Sequence, residues 1–206
     1  MRIIGGSLKG KNILPPTNYA ARPTTDFAKE GLFNMLTNEF DLEEISVLDL
    51  FSGTGSISME FASRGCKDII SIEMNPLHTR FIKQCSQSFK IKGMQVIRHN
   101  VFDFIKICTK SFDIIFADPP YDLEGLDTLP DRIFGISQEF SENFSNESEK
   151  FSNESKNFSN ESKKLIKNGG YFILEHPKAY SFENHPFFIK EKKYGNVHFS
   201  FFGEIE

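Results

Sequence analysis

The central part of the chain alternates between short apolar runs and stretches in which apolar and polar residues mix. The apolar runs have the length of buried strands and occupy residues 45–51, 68–73, 94–98 and 112–117. Helix-like stretches separate them at residues 57–63, 76–91 and 101–108. Strands and helices in strict alternation predict βαβ units, and therefore a parallel sheet covered by helices on both faces.

The start of the chain follows a different pattern. Residues 2–4 and 11–14 flank a glycine-rich turn, which predicts a small β-hairpin. The Thr-Thr-Asp sequence at residues 24–26 predicts the N-cap of a helix that runs to about residue 40. The residues expected near one face of this helix are Phe27, Gly31, Leu32, Met35 and Leu36.

Antiparallel strands are expected at the other end of the chain. A strand is predicted at residues 171–175, after a helix that stops at the Asn-Gly-Gly of residues 168–170. Residues 187–194 and 197–202 then lie on either side of Gly195-Asn196, a pair typical of a hairpin turn. The expected fold class is α/β: a doubly wound, Rossmann-like sheet, mostly parallel, with a C-terminal antiparallel pair and a small N-terminal β-hairpin arm.

Residues 141–164 stand apart because they repeat. The sequence Phe-Ser-Asn-Glu-Ser begins at residues 144, 151 and 158, a period of seven that would place the three Phe on one side of a helix. Ser and Asn are poor helix formers, however, and duplication of a short unit explains the repeat equally well. The segment is interpreted as a low-complexity insertion that lengthens the helix before residue 171 and carries no chemistry.

Composition narrows the class of protein. A chain of 206 residues with 39% hydrophobic and 25% charged residues fits one soluble globular domain, residues 1–206. The apolar runs are too short to span a membrane, and the first residues do not resemble a signal peptide. Isolated Cys66, Cys85 and Cys108 suggest reduced thiols in a cytoplasm, and the scattered His residues suggest no metal site.

Charge is unevenly distributed along the chain. The net charge is −4, but residues 1–31 contain five basic and two acidic residues. A basic arm over residues 1–23 is therefore a candidate contact for the phosphates of a nucleic acid, although on charge alone a basic surface that is simply exposed to solvent is equally possible. The basic residues that would bind such phosphates are Arg2, Lys9, Lys11 and Arg22.

The most informative motif is Asp118-Pro119-Pro120-Tyr121, which follows the strand at residues 112–117. Neither proline can donate to a ladder, so the strand must stop in a stiff loop. The loop offers a carboxylate, prolyl carbonyls and an aromatic face, which together suit the exocyclic amine of a nucleobase. The alternative is a proline-terminated strand end with a surface tyrosine. On the first interpretation Asp118, Pro119 and Tyr121 are the candidate catalytic residues.

A cofactor pocket is indicated by acids and glycines at adjacent strand ends. Asp49 precedes the tight turn of Gly53 and Gly55, and Glu73 ends the next strand, where an acid reaches ribose hydroxyls in doubly wound sheets. The third glycine of a dinucleotide fingerprint is replaced by Ser58, which argues against a pyrophosphate ligand. A helix cap is the alternative for Asp49, and a surface acid is the alternative for Glu73.

Asn100 and Val101 follow the third strand at the same edge. They could read an adenine edge and cover its ring, while a simple N-cap remains the alternative for Asn100.

At this point the chain resembles class I S-adenosylmethionine-dependent methyltransferases, and more narrowly the bacterial RsmD family, which methylates a guanine N2 of 16S ribosomal RNA. The segments that carry the resemblance are residues 2–6 (RIIGG), 22–26 (RPTTD), 30–34 (EGLFN), 48–56 (LDLFSGTGS), 72–75 (IEMN) and 116–121 (FADPPY). It covers nearly the whole chain except the repeat insertion. The RPTTD segment is its most specific marker, because the DPPY motif is shared by other amino-methyltransferases.

The resemblance implies a single class I methyltransferase domain, with S-adenosyl-L-methionine as its cofactor and 16S ribosomal RNA or the assembled small subunit as its partner. It further implies that Asp118 and the prolyl backbone hold the guanine amine and that Tyr121 stacks on the base. The residues that would bind the cofactor are Asp49, Phe51, Gly53, Gly55, Glu73, Met74, Asn100, Val101 and Asp118. A monomer without metal or membrane partners is expected.

Three other functions remain open at this stage. A DNA methyltransferase acting on adenine N6 or cytosine N4 is weakened by the absence of a further segment that could read a duplex. A nicotinamide-dependent oxidoreductase is opposed by the missing third glycine and by the Asp118 loop. A non-catalytic RNA-binding module is opposed by the intact motif loop.

Overall fold

The structure is a computed structural model that describes residues 1–15, 24–136 and 163–204. Its helices are α1 (Asp26–Glu39), α2 (Ser56–Ser63), α3 (Pro76–Ser88), α4 (Val101–Ile107) and α5 (Leu129–Phe134), with a 3-10 turn at Leu126–Thr128 before α5. Its strands are β1 (Ser46–Leu50), β2 (Asp68–Glu73), β3 (Met94–Arg98), β4 (Phe112–Ala117), β5 (Ile166–His176), β6 (Phe188–Tyr194) and β7 (Val197–Phe202).

The strands of the described residues form one seven-stranded sheet in the order β3-β2-β1-β4-β5-β7-β6. The first five strands in this order pair in parallel, and β7 pairs antiparallel with both β5 and β6. The chain adds strands outward from β1 to one edge and then from β4 to the other, so the boundary between β1 and β4 is the topological switch point at which open α/β sheets bind ligands. The predicted fold class, including the antiparallel C-terminal pair, is confirmed.

Each face of the sheet is covered because successive strand residues point to opposite sides. In β4, Ile114 and Phe116 pack with α1 and α2, whereas Ile115 and Ala117 pack with α4 and α5. This alternation with apolar residues on both faces is what a fully buried central strand requires.

The N-terminal hairpin is present as a single antiparallel bridge between Arg2 and Asn12. The amide of Ile3 donates to the carbonyl of Lys11 at 2.9 Å. The side chains of Ile3 and Ile13 are fully buried against α2, α3 and β3. The arm is therefore docked on the sheet domain by its apolar residues.

Two expectations about local structure are wrong. Residues 168–170 do not end a helix, because they lie inside β5, where Gly169 has a positive φ of 72°. The pairing of β5 with β4 shifts register between Phe112 and Ile114, so the irregular glycine segment is accommodated without ending the strand. The helix expected before residue 171 is thus replaced by strand from Ile166 onward, and the repeats at residues 144–162 lie outside the described residues.

The buried face of α1 also differs from the prediction. Phe27 is 67% exposed, and the buried residues are Ala28, Lys29, Leu32, Phe33 and Leu36. The prediction from hydrophobicity was wrong because the buried face includes Lys29, whose charge is paired with acidic side chains. The hydroxyl of Thr25 does cap the helix by accepting from the amide of Ala28, as predicted.

Candidate active site

A cavity of about 610 Å³ opens at the carboxyl ends of the central parallel strands. Leu50 of β1 lies opposite both Ile72 and Ala117, and Ala117 lies opposite Leu174, so these strands end side by side. The next residue of each strand therefore reaches the same rim. The cavity is lined by Thr25, Phe51, Gly53, Glu73, Met74, His78, Asn100, Val101, Phe102, Asp118, Pro119, Pro120, Tyr121, Leu123, Glu175, Asn196 and Val197.

One wall of the cavity is the turn between β1 and α2. Gly53 and Gly55 have φ values of 54° and 73°, a region that glycine enters without strain. The amide of Gly53 donates to Oε2 of Glu73 at 2.8 Å, and the amide of Asn75 donates to Oε1 of Glu73 at 2.7 Å. Glu73 is consequently locked in orientation between the glycine turn and the start of α3.

Asp49 lies beneath this turn and is only 2% exposed. Its Oδ2 accepts hydrogen bonds from the amide of Ser58, at 3.2 Å, and from the Ser58 hydroxyl. Burial raises the pKa of Asp49 from 3.8 to about 7, although the bonds from Ser58 oppose the increase. Of the residues predicted to bind the cofactor, Asp49 and Gly55 do not line the cavity.

The adjoining wall comes from the loops after β2 and β3. Asn100 caps α4 by accepting from the amide of Asp103 at 3.2 Å, so the cap expected as one alternative is real. Its side-chain nitrogen also lies 3.9 Å from the sulfur of Met74, and Met74 is 63% exposed. Val101 lines the cavity next to them. Capping and cavity lining thus occur together at Asn100.

The loop after β4 forms a further wall of the cavity. Pro119 is buried, whereas Pro120 and Tyr121 are exposed. The amide of Leu123 donates to the carbonyl of Pro120 at 2.9 Å, which fixes the loop as it leaves the strand. Burial, and then the charges of Glu175 and Asp49, hold the pKa of Asp118 well above its usual value.

Glu175, at the end of β5, completes the acidic side of the cavity. Its side chain is 4% exposed, and its Oε2 accepts from the hydroxyl of Thr24 at 2.8 Å. Glu175 belongs to no motif and was not among the predicted site residues, although it lies near a strand end as Glu73 does and precedes a turn as Asp118 does. His78, Phe102 and Leu123 also line the cavity without any signal in the motifs.

Comparison with known proteins places the chain in a family. The family described as "Conserved hypothetical protein 95" matches residues 1–134, and this is the RsmD family. The chain belongs to the RsmD family. A ribosomal RNA small subunit methyltransferase D from Buchnera aphidicola is 36% identical over 121 residues, which are 59% of this chain and 61% of that protein. The match therefore spans less than two thirds of that relative.

Solved structures show the same fold as this RsmD-family chain. A hypothetical protein from Thermus thermophilus superposes with a TM-score of 0.75 at 23% identity, covering 99% of both chains. The T. thermophilus 16S rRNA N2 G1207 methyltransferase RsmC, solved with AdoMet and guanosine, superposes with a TM-score of 0.60 at 16% identity. That match covers 91% of this chain and 45% of the RsmC chain. The class I methyltransferase fold is thereby confirmed.

The candidate RNA-binding residues of the RsmD-family arm differ in their surroundings. Arg2 forms an ion pair with Asp26 at 3.0 Å, while Lys9 and Lys11 are exposed. Arg22 lies outside the described residues. Lys29, which was counted in the basic stretch, is fully buried and paired with Glu60 at 3.0 Å. Of the basic residues in the stretch 1–31, Lys29 therefore adds no accessible positive charge, and the charge of Arg2 is paired with Asp26.

Residues 1–15, 24–136 and 163–204 contain neither a membrane-spanning helix nor a candidate metal centre. No helix in these ranges is long and apolar enough to cross a membrane. The same ranges contain no cluster of three or more His, Cys, Asp or Glu residues that could hold a metal ion.

Proposed function

We propose that this protein is an S-adenosylmethionine-dependent methyltransferase that modifies the exocyclic N2 amine of a guanine in 16S ribosomal RNA. The observation that carries the proposal is that the Asp118 loop and the Gly53 turn, which follow the adjacent strands β4 and β1, line one cavity. The name of the Buchnera relative and the ligands of RsmC support this choice of substrate and cofactor.

The residues of the first wall fit S-adenosylmethionine. Glu73 stands where doubly wound sheets place the acid that binds ribose hydroxyls, and each of its oxygens has a second lone pair beside the one used by the backbone. Asn100 and Val101 offer an amide for the adenine edge and an apolar surface for its ring. Phe51 and Met74 add apolar contact in the same cavity. When bound, the cofactor supplies a methyl group activated by the sulfonium.

Asp49 and Gly55 would act on this ligand through the turn. Asp49 holds the first turn of α2 through Ser58, and a side chain at Gly55 would meet Ile82 at 2.9 Å. Their proposed role is to keep the Gly53 turn in place.

The second wall fits the guanine. Asp118 and a prolyl carbonyl can accept the two hydrogens of the N2 amine, and Tyr121 offers a ring for stacking. A donor placed against Asp118 favours its ionised form, so binding of the base should lower the raised pKa and release a proton. After the amine gains the methyl group it carries one proton too many, and the ionised Asp118 is placed to accept it. Catalysis is thus mainly a matter of positioning.

The proposal is tested by assaying methyl transfer to 16S ribosomal RNA and to small subunits, followed by mass mapping of modified nucleotides. Asp118→Asn should reduce the rate at least about 100-fold, the size of effect seen when one stabilising polar contact is removed. Its affinity for the cofactor should remain within about tenfold. Asp122→Asn, an exposed acid in the same loop, is the matched control and should be unaffected.

Absence of N2-methylguanine in both substrates, or a normal rate in Asp118→Asn, would overturn the proposal. Methylation confined to adenine N6 or cytosine N4 of DNA would instead favour the other amino-methyltransferase class.

A further inference from the structure

Glu175 is placed to meet the part of the base next to its amine. It follows Leu174, which pairs with Ala117, so Glu175 and Asp118 leave adjacent strands at the same level of the sheet. Both line the cavity. The charge of Glu175 also acts, after burial, to raise the pKa of Asp118, in keeping with their adjacent positions at the strand ends.

The carboxylate of Glu175 is held in one orientation. The hydroxyl of Thr24 donates to its Oε2 at 2.8 Å, and both side chains are almost completely buried. Thr24 immediately precedes the N-cap residue of α1, so the direction of the carboxylate is set by a rigid element. A buried acid fixed in this way is suited to recognising a donor at a defined position.

Guanine presents such a donor. Its Watson–Crick edge carries the N1–H beside the N2 amine, so neighbouring hydrogens point in nearly the same direction. Adenine and 2-aminopurine have an acceptor lone pair at N1 instead. A carboxylate facing N1 would gain a hydrogen bond from guanine and would repel the other two bases, and such discrimination is strong in a site from which water is excluded.

We propose that Glu175 accepts the N1–H of the target guanine, while Asp118 and a prolyl carbonyl hold the neighbouring N2 amine, and that Glu175 thereby selects guanine. The inference rests on the proposed function for its substrate. It adds a specificity-determining residue that reads the base, as distinct from the groups that align the amine for transfer.

The test uses a short ribosomal RNA substrate in which the target guanine is replaced by 2-aminopurine, which keeps the N2 amine but lacks the N1–H. The wild-type protein should favour guanine by about 10⁴-fold in kcat/KM, because a site that hydrogen-bonds an N–H rejects an analogue lacking it by about 10⁴- to 10⁵-fold. Glu175→Gln should reduce that preference to within about tenfold, because its amide can donate to N1 of 2-aminopurine. Binding of both RNAs in the presence of S-adenosylhomocysteine should show the same change of preference.

Two controls separate base selection from other effects. Asp118→Asn should slow methylation of both RNAs alike and leave the binding preference in place. Thr24→Val keeps the carboxylate but removes the hydroxyl that orients it, so it should weaken the preference, whereas Thr24→Ser should retain it. Thermal unfolding of each variant identifies any loss of folded protein, and the Thr24 pair tests the proposal even if Glu175→Gln is unstable.

Equal preference for guanine in the wild type and in Glu175→Gln would overturn the inference, as would a wild-type protein that methylates both RNAs equally well. Either result leaves the proposed function intact, since guanine is still methylated. If the wild type methylates neither RNA, the proposed function fails, and the binding measurements still decide whether Glu175 distinguishes the two bases.

Discussion

Replacement of Asp49 by Asn should change how the stability of this protein depends on pH. Burial raises the pKa of Asp49 from 3.8 to about 7, with a smaller contribution from the charge of Glu73. Because the folded chain holds this proton more tightly than the unfolded chain, protonation stabilises the fold. The contribution is complete below about pH 4, near the unfolded pKa, and is lost as the pH rises through about 7.

The magnitude follows from the two pKa values. A difference of about three pH units corresponds to roughly 4 kcal/mol, since one unit is about 1.4 kcal/mol. Between pH 5 and pH 8 the linkage relation assigns about 2–3 kcal/mol of this to the loss of the Asp49 proton. Asn cannot titrate. Between pH 5 and pH 8 the free energy of unfolding of Asp49→Asn should therefore decrease less than that of the wild type, by a difference of about 2–3 kcal/mol.

Urea unfolding at several pH values and constant ionic strength measures the difference. Asp113→Asn is the control, because the pKa of Asp113 is shifted in the opposite direction from that of Asp49. Although partial burial acts to raise it, hydrogen bonds from Lys167 and Ser46 hold the pKa of Asp113 below its usual value. Its contribution is therefore present throughout pH 5–8 and is lost only in acid, so this variant should be less stable by a constant amount. A wild-type slope in Asp49→Asn would refute the reasoning, because the buried carboxyl would then carry no excess proton.

Three further outcomes follow from contacts elsewhere in the molecule. Gly31→Ala should destabilise the protein by about 1–3 kcal/mol in urea unfolding, because the new Cβ would lie 2.1 Å from the Tyr194 ring, and combination with Tyr194→Ala should remove most of that loss. Lys29→Met should lower the free energy of unfolding by about 3 kcal/mol, because it leaves a buried carboxylate short of one cation, and a surface-like loss under 1 kcal/mol would contradict the burial of this pair. Replacing Lys9 and Lys11 by Gln should reduce the salt slope of log RNA affinity by about 0.7–0.9 for each phosphate that the arm no longer neutralises, and an unchanged slope would mean that other parts of the protein bind the RNA.

The boundaries of several strands could be predicted from the sequence to the residue. This holds for β2, β3, β4 and β7, because each is a short apolar run bounded by polar or turn residues. The same reasoning failed at residues 168–170, where Asn-Gly-Gly was interpreted as a helix stop. A glycine with positive φ occurs both at the end of a helix and in an irregular strand, so local propensity cannot distinguish the two. Pairing with β4 determines that residues 168–170 belong to a strand.

The face of α1 shows a second limit of local patterns. A lysine at position 29 argues for a solvated face, yet its side chain is fully buried. It donates to the carbonyl of Arg2, to Ser56 and to Glu60, three groups that folding brings together from the arm and from α2. A buried charge is tolerated only with such partners, and partners so distant in the sequence leave no periodic signal.

The residues of the candidate site could be predicted where a short sequence motif marks them. Glu73 and Asp118 were found because strand ends meet at one rim, and Glu175 obeys the same rule but belongs to a strand whose neighbour only the sheet order reveals. That neighbour alters the motif itself, because burial, and then the charges of Glu175 and Asp49, raise the pKa of Asp118. The proton affinity of the motif carboxylate therefore depends on its surroundings as well as on the motif. An Asp-Pro-Pro-Tyr loop without an acid at the end of β5 would ionise more readily and would lack the group that we assign to the N1–H of guanine. It follows that the tetrapeptide indicates transfer to an amine, whereas the choice of base depends on what the adjacent strand places beside it.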